Sequence, residues 1–490
     1  MPQQGLGQNN FELNNPGKRS QEFPTPKSEF ITNQEISSNA VTRSSVDDVE
    51  LLLGSSHISR ELTELVLETI NSTISHEHQL NEIPQEMLLE IEELHAEKAE
   101  PELIGQAYQK LGNFYRLRIE QGESNLENIM VAIIAYQEAI TQDDSSSNVP
   151  DILNDLGTLY WMLYRTPPNT DEGQSYIEQA IEFYKLALKL IEPETHADTY
   201  ARVQNNLGTA YGDLARFINQ QENWEQAVFA YNEALLFRTA QMEPMKYAAC
   251  QNNLGTAYWH LAQYQQPMLH LQKSIAAYKQ ALIYYTPNVE PLKYGMIQNN
   301  IGTTYWNLAQ YQSGAENLLL AIDAYNEALK FRTAAVIPTG CAATQNNLGT
   351  AYWHLANSPQ TAKKERQKYL EKCIIAYDEA LALAHSLTGV TLSFDIFATH
   401  NNLGLAYYQL ATEQHFNLNR AQRSQHLEIA LENHLIALNA LGKQPLAYQN
   451  TFNYLVKTIR AFHSELGIQG QNLALSKVPA HLLPEILPKL

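Results

Sequence analysis

The chain has 490 residues and a mass of 55.5 kDa, which is enough for several ordinary domains or for one long repeat array. Asp and Glu number 53 against 33 Lys and Arg, a formal net charge of −20 that argues against nucleic acid or an anionic membrane as the partner. Hydrophobic residues make up 44% of the chain, which excludes a protein disordered throughout, and no run approaches the ~18 apolar residues that direct membrane insertion needs.

The cysteines and the first residues narrow the class of protein further. Cys250, Cys341 and Cys373 are far apart in sequence and form no CxxC pair, so they predict neither a disulfide framework nor a zinc site. We interpret them as small buried hydrophobic residues. The opening stretch, MPQQGLGQNNFELNN, has no basic or apolar segment of the secretory kind, so we expect a cytoplasmic protein.

Two segments precede the repetitive part of the chain. Residues 1–45 are rich in Gln, Asn, Ser and Pro and show no apolar period, which predicts a disordered N-terminal tail. Phe11, Phe23 and Phe30 leave two interpretations open for this tail, a solvated linker or a short motif that docks elsewhere. Residues 46–102 place apolar residues at helical spacing and predict a helical segment at the start of the fold.

The rest of the chain repeats itself with a long period. The motif QNNLG occurs three times, and QNNIG and HNNLG are close variants of it. Its glycine and the glycines of two weaker copies mark seven units, at Gly112, Gly157, Gly208, Gly255, Gly302, Gly349 and Gly404. Three consecutive spacings are 47 residues, and a constant period of this length indicates a solenoid of stacked units.

Each unit has the pattern of two helices. In the fourth unit Leu254, Ala257, Tyr258 and Leu261 recur at the spacing of one helical face. A proline opens this segment, as suits the first turn of a helix, and a second amphipathic segment follows over about 269–285. One such hairpin cannot bury its apolar stripe alone, so the units are expected to stack.

The units resemble tetratricopeptide repeats (TPR). That family has Leu-Gly and a later Tyr in the first helix, and Ala, an aromatic residue and Ala in the second. The matching sets are Leu207-Gly208-Tyr211 with Ala227-Tyr231-Ala234, Leu254-Gly255-Tyr258 with Ser274-Tyr278-Ala281, Ile301-Gly302-Tyr305 with Ala321-Tyr325-Ala328, and Leu348-Gly349-Tyr352 with Cys373-Tyr377-Ala380. Weaker copies surround Gly112, Gly157 and Gly404, and the last has His434 in place of the aromatic residue.

The resemblance implies an all-α fold, a right-handed superhelical solenoid of antiparallel helix hairpins, with seven repeats over residues 103–441. The unit of 47 residues exceeds the family's usual ~34, so we expect each helix to be about two turns longer. In this respect the chain resembles the extended repeats of the kinesin-light-chain kind. Residues 46–102 and a helix within 442–490 are predicted to cap the two ends, and 478–490 to be a docking tail or disordered.

In arrays of this family the first helices line the concave face, and helical phase selects the side chains on it. Opposite the apolar stripe of the fourth unit lie Asn252, Thr256, Trp259 and His260, on one continuous face. The predicted peptide-binding groove therefore contains Asn205, Asn252, Asn299, Asn346 and Asn401, with Trp259, Trp306, Trp353, His260 and His354. An asparagine amide can pair with a peptide unit, and tryptophan supplies the area typical of a hot spot.

The five repeated asparagines of this groove form a ladder along the stack. A second asparagine follows each of them, as in Asn253, Asn300 and Asn347. In peptide-binding relatives that position often contacts the ligand backbone. The alternative is that repeated Asn and Trp tie neighbouring hairpins together. Helical phase favours the groove for the first asparagines and the tryptophans, and it leaves both interpretations open for the second asparagines.

Arg202 is the basic residue beside this ladder, and it completes the predicted groove. The equivalent residues of the next units are Ala249, Met296 and Ala343. A clamp for a C-terminal carboxylate, as in chaperone-binding relatives, needs more basic residues and is not expected.

The sequence therefore predicts a non-enzymatic scaffold or assembly factor that binds an extended peptide or a partner helix in its groove. No catalytic arrangement, metal site or cofactor motif is expected, and the oligomeric state is left open. One alternative is a regulatory protein whose groove holds its own tail. Another is an α/α-toroid carbohydrate-processing enzyme, which would need paired carboxylates on inward loops that the sequence does not show.

Overall fold

The computed structural model describes residues 57–72, 78–165, 173–440 and 445–490, so the predicted tail over 1–45 lies outside the described residues. Within those ranges the regular structure is helical and contains no strand. In chain order the helices are α1 (Arg60–Ser72), α2 (His78–Ala96), α3 (Pro101–Glu120), α4 (Leu126–Gln142), α5 (Val149–Arg165), α6 (Gly173–Leu190), α7 (Ala197–Leu214), α8 (Gln220–Phe237), α9 (Pro244–Leu261), α10 (Pro267–Leu282), α11 (Pro291–Leu308), α12 (Gly314–Leu329), α13 (Pro338–Ala356), α14 (Lys363–Ser386), α15 (Ile396–Thr412), α16 (Arg420–Ala440), α17 (Pro445–Leu466), α18 (Ile468–Lys477) and α19 (Leu483–Ile486).

Consecutive helices pair into seven hairpins, which we number 1 to 7. They join α3 with α4, α5 with α6, α7 with α8, α9 with α10, α11 with α12, α13 with α14 and α15 with α16. Each second helix also packs against the first helix of the next hairpin. The chain thus stacks hairpin on hairpin, and the predicted all-α solenoid is confirmed.

The helices of the regular hairpins are long, and four of those in hairpins 4 to 6 begin at a proline, including the second helix of hairpin 4 at Pro267. The first helices of hairpins 4 and 5 have 18 residues, and their second helices have 16. Pro244, Pro291 and Pro338 open the first helices of hairpins 4, 5 and 6, as the sequence predicts. Proline fits there because its missing N–H falls among the amides that a helix start leaves unpaired.

The repeated glycine is the point of closest approach between the two helices of a hairpin. A Cβ atom built on Gly255 would lie 2.7 Å from the ring of Tyr278, and one built on Gly302 would lie 2.7 Å from the ring of Tyr325. Both tyrosines are only 2% exposed. The glycine therefore makes room for a buried ring, and the close packing of protein interiors leaves no slack for a side chain there.

Further helices cover both ends of the stack. At the N-terminal end α1 packs against α4 and α2 against α3, and Thr69 Oγ1 lies 2.6 Å from the Tyr115 hydroxyl. At the C-terminal end α17 packs against α16 and α18 against α17. Leu482 and Ile486 are buried in the same apolar cluster as Phe452 of α17, so the last residues form part of this cap rather than a disordered tail.

The turn inside hairpins 3, 4 and 5 contains a left-handed residue directly before the second helix. Asn219, Gln266 and Ser313 have φ angles of 42°, 43° and 45°, and none of their side chains caps the helix. Instead Asn223 and Asn317, in the first turn of the second helix, each donate Nδ2 to the carbonyl before the left-handed residue at 2.8 Å. The turn is held by this bond against an unfavourable backbone conformation.

Gln266→Gly is expected to raise the free energy of unfolding by about 0.5–1 kcal/mol, because glycine adopts positive φ without the Cβ clash. The neighbouring change Gln265→Gly is the matched control, since that residue is not at positive φ and glycine there only adds entropy to the unfolded chain. Urea unfolding midpoints measure both variants. Equal midpoints for the two would show that the left-handed turn carries no strain.

Candidate functional site

The first helices lie side by side and form one layer of the solenoid. Direct contacts join α5 to α7, α7 to α9, α9 to α11, α11 to α13 and α13 to α15. Among the described residues of the hairpins, successive second helices do not contact one another to the same extent. The stack therefore curves toward the first helices. We call the solvent-facing side of these six helices the inner surface.

Side chains on the inner surface are half-buried rather than exposed. All residues over 249–261 of α9, 297–308 of α11 and 343–356 of α13 are buried or half-buried. Met296 lies at the edge of this region, and 37% of its surface is exposed. The second helices, by contrast, expose side chains in most turns, such as Phe229 in α8. Partial shielding along a whole layer of helices is typical of a concave wall.

The first asparagines of hairpins 5 and 6 tie their hairpin to the next one. Asn299 Oδ1 accepts hydrogen bonds from Thr344 Oγ1 at 3.1 Å and from Asn347 Nδ2 at 3.4 Å. Asn346 Oδ1 accepts one from Thr399 Oγ1 at 2.8 Å, and Asn346 is only 5% exposed. For Asn299 and Asn346 the contacts thus support the packing interpretation rather than amides free for a ligand.

The second asparagines also take part in bonds within the stack. Asn300 hydrogen-bonds the hydroxyl of Tyr278 in the preceding hairpin, and Asn347 donates to Asn299. Asn253 Oδ1 accepts a bond of 3.3 Å from the Nδ2 of the asparagine before it. All three remain half-buried on the inner surface. The bonds by which Asn300 and Asn347 join hairpins do not remove them from that surface.

Two members of the ladder keep an unpaired amide oxygen. The Oδ1 atoms of Asn205 and Asn252 are buried and have no hydrogen-bond partner among the described residues. The repeat register gives the reason. Thr344 of hairpin 6 bonds Asn299 of hairpin 5. The residue equivalent to Thr344 for Asn205 is Cys250, and the one for Asn252 is Ile297. Neither has a hydroxyl group. Because the two oxygens are buried, they are unmet packing contacts rather than groups that face solvent.

Cys250→Thr is expected to stabilise the chain because it places a hydroxyl donor where hairpin 6 has Thr344. Cys250→Val is the control, since it has the same shape without the hydroxyl. We expect the threonine variant to exceed the valine variant by about 0.5–1.5 kcal/mol in free energy of unfolding. Denaturant titration of both variants measures the difference, and a valine variant at least as stable would disprove the register argument.

The predicted tryptophans are wedged between hairpins. Trp259 packs against Leu271 of its own hairpin and Leu308 of the next, in one apolar cluster. Trp306 and Trp353 pack against the cluster that joins hairpins 5, 6 and 7. All three side chains are half-buried, and the indole nitrogens of Trp259 and Trp353 are themselves buried.

The two predicted histidines pack beside tryptophans. The His260 ring lies parallel to that of Trp224, with centroids 4.1 Å apart, and its burial lowers its pKa to about 3. His354 meets Trp306 edge to face at 5.4 Å, and its burial lowers its pKa to about 4. Both imidazoles are therefore neutral at physiological pH.

The remaining members of the predicted groove lie near its ends. Asn401 Oδ1 is 3.2 Å from Nδ1 of His434, the buried residue that replaces the repeated tyrosine in hairpin 7. Arg202 forms an ion pair with Asp151, which occupies the equivalent place in hairpin 2 and also accepts a hydrogen bond of 3.0 Å from Thr199. The charge of Arg202 is therefore balanced within the chain.

Two further tryptophans pack beside first helices and were not among the predicted residues. Trp161 donates its indole N–H to Asp213 at 2.8 Å, across the boundary between hairpins 2 and 3. Its place four residues after Gly157, as for the other tryptophans, was the available signal. Trp224 comes from a second helix and fills the space beside Gly212, where a Cβ would lie 3.0 Å from the indole.

The repeated threonine, which helical phase places on the same face as the first asparagine, closes its own hairpin. Thr256 Oγ1 lies 2.9 Å from the hydroxyl oxygen of Tyr278, and the bond closes hairpin 4. Equivalent bonds join Thr158 to Tyr184, Thr209 to Tyr231, Thr303 to Tyr325 and Thr350 to Tyr377. A buried hydroxyl needs a partner, and this residue provides it.

Among the described residues, no group of three or more His, Cys, Asp or Glu side chains is placed to hold a metal ion. None of the described helices is both long and apolar enough to cross a membrane. The three cysteines are free and buried, as the sequence predicts.

No family model and no curated protein matches the chain. Among solved structures it is similar to the apo form of RapI, with 13% identity, a TM-score of 0.41, and coverage of 78% of this chain and 98% of that one. It is also similar to a TPR2AB-domain:pHSP90 complex of yeast Sti1, with 15% identity, a TM-score of 0.21, and coverage of 64% of this chain and 99% of that one. A circular tandem repeat protein with a novel repeat topology is 13% identical, with a TM-score of 0.28 and coverage of 88% of this chain and 99% of that one. All three TM-scores lie below 0.5, so the fold rests on the contacts of this chain.

Proposed function

We propose that the protein is a non-enzymatic interaction scaffold, or assembly factor, that binds a peptide or partner helix on its inner surface. The observation that supports it is the continuous layer of six first helices, whose side chains are half-buried along the whole layer. Half-buried aromatic side chains at regular intervals are typical of an interface core rather than of ordinary solvated surface.

The contacts narrow the groups that would meet a ligand. Asn299 and Asn346 are bonded to the next hairpin, so we assign them to the wall and not to the contact set. Met296, Asn253 and Trp306 remain at least partly exposed on the first helices. A ligand would therefore be held mainly by apolar and amide contacts spread over several hairpins.

A charge placed on the inner surface tests this function. Met296→Glu is expected to abolish capture of the partner from a native lysate, because a carboxylate there would be desolvated by the bound ligand. Phe229→Glu is the matched control, since Phe229 is an exposed apolar residue on the outer, second-helix side. Loss of the partner from the Phe229→Glu variant alone would place the binding site on the outer face.

We also infer that the repeat unit is a long variant of the tetratricopeptide repeat, similar to that of kinesin light chains. The helices of 18 and 16 residues in hairpins 4 and 5 support this, since they account for most of the 47-residue period. Longer helices give the inner surface more depth per hairpin. A ligand then meets three turns of each first helix.

A further inference from the structure

The first helices of hairpins 1 to 7, six of which form the inner surface, fall into two sets that differ in charge. In hairpins 1 to 3 the first helices carry charged residues close to the repeated glycine: Lys110, Arg116, Asp151, Asp155, Arg202 and Asp213. In hairpins 4 to 7 the equivalent twelve-residue stretches, 249–260, 296–307, 343–354 and 398–409, contain no Asp, Glu, Lys or Arg. Charged residues make up 18% of the chain, so this uncharged region stands out in an acidic protein.

The charged residues of the first set are matched within the chain. Arg202 pairs with Asp151, and Arg116 lies 3.3 Å from Asp155 across hairpins 1 and 2. Asp213 accepts the indole N–H of Trp161. These groups serve the stack, and they leave little net charge to attract a ligand.

The histidines do not add charge to the second set. His260 and His354 are packed against tryptophan rings, and burial lowers the pKa of each far below physiological pH. At the place where hairpin 3 has Arg202, hairpins 4, 5 and 6 have Ala249, Met296 and Ala343. His400 is bonded through Nδ1 to Asn433, and burial lowers its pKa as well. The four stretches themselves therefore present neutral amide, hydroxyl, aromatic and apolar groups. Lys279 and Asp378, which come from second helices, bond tyrosines of the packing stripe.

A charged ligand group would be disfavoured on such a surface. Binding removes water from it, and burying an unpaired charge is costly unless an opposite charge or strong hydrogen bonds replace the water. Hairpins 4 to 7 offer no counter-charge over the four stretches. A neutral segment loses little, because its backbone groups can exchange water for the amides of the surface.

The dimensions fit a short extended segment. Packed helices lie about 8–10 Å apart, so four successive first helices span about 30 Å between the outer axes. An extended chain advances about 3.3 Å per residue, which gives about nine or ten residues along the four hairpins.

From the charge-free inner surface of hairpins 4 to 7 we propose that the ligand is an internal, uncharged peptide segment of about nine or ten residues in extended conformation. This inference rests on the proposed function and specifies the chemical class of its ligand. It excludes a free C-terminal carboxylate and a basic or acidic motif as the recognised element.

Selection of a phage-displayed library of random dodecapeptides on the full-length protein tests the inference. We expect enriched peptides to be depleted in Asp, Glu, Lys and Arg relative to the unselected library. Binding of a selected peptide should also change little between about 0.1 and 1 M salt, over which the Debye length falls from about 10 to about 3 Å.

Ala343→Lys and Ala343→Met form a matched pair for the same peptides, because the two side chains are similar in length and differ in charge. We expect the lysine variant to bind at least about tenfold more weakly than the methionine variant, equivalent to about 1.4 kcal/mol. Melting curves of both variants establish that they fold, and Ala249→Lys repeats the test in hairpin 4.

The outcomes separate the inference from the function. Suppose that the enriched peptides are charged and do not bind the Met296→Glu variant. This result would overturn the neutral-ligand inference and would leave the scaffold function standing. If no peptide is enriched, or if selected peptides bind all inner-surface variants equally, the inner surface is not a peptide site and both proposals fail.

Discussion

Gly255→Ala is expected to lower the free energy of unfolding by about 1–3 kcal/mol, although alanine is the better helix former by about 1 kcal/mol. The new Cβ would lie 2.7 Å from the Tyr278 ring, and that ring cannot move aside freely because its hydroxyl is bonded to Thr256 and Asn300. Gly255→Leu adds three more carbons and should cost more. Chemical denaturation of the purified variants measures both effects.

A double-mutant cycle isolates the contact. In a Tyr278→Ala background the space beside Gly255 is empty, so Gly255→Ala should become neutral or stabilising through its helix propensity. The same cycle at Gly302 and Tyr325 repeats the test one hairpin along, where the built Cβ is equally close. An unchanged cost of Gly255→Ala without the Tyr278 ring would mean that ring packing is not the reason for the glycine.

The fold could be predicted from the sequence because its determinants are local and repeated. The 47-residue period gives the stacking, and the spacing of Leu254, Tyr258 and Leu261 gives the face of each first helix that packs inward. Errors at single positions do not accumulate in such a fold, since each hairpin contacts mainly its neighbours. The C-terminal segment was harder, because the burial of Leu482 and Ile486 depends on a cluster formed by α17, outside the repeat pattern.

The candidate site was predicted less well, for a reason that the asparagines make clear. Helical phase gives the direction of a side chain from its own helix axis, but it does not reveal what the next hairpin places there. Asn299 accepts a hydrogen bond from Thr344 of hairpin 6, whereas the equivalent of Thr344 for Asn252 is Ile297, and the Asn252 oxygen stays unpaired. Identical motifs thus have different contacts, and only the register between units distinguishes them.

Acid is expected to destabilise the solenoid steeply through three buried histidines. Burial lowers the pKa of His260 and His434 to about 3 and that of His354 to about 4, against 6.5 for an exposed imidazole. Above pH 6.5 the native and unfolded chains are both neutral at these sites, and stability does not depend on them. Below it the unfolded chain binds protons that the native chain does not, so each histidine removes about 1.4 kcal/mol of stability per pH unit down to its native pKa.

The repeats themselves supply the variants that separate this effect from other titrations. His260→Asn and His354→Asn copy Asn307, which occupies the same place in hairpin 5 and donates to the Thr303 carbonyl at 2.9 Å. His434→Tyr copies the ring that the other hairpins bury on their glycines. Urea unfolding between about pH 7 and 4.5 should show a shallower loss of stability for each variant than for the wild type, by about 1.4 kcal/mol per pH unit per histidine removed. Asp155 and Asp378, whose pKa values burial raises, oppose the trend in every variant equally, because they are protonated more readily in the native chain.

Parallel curves for the wild type and all three variants would mean that these imidazoles already take up protons in the folded protein. Water would then have to reach the places between the hairpins where the rings lie packed.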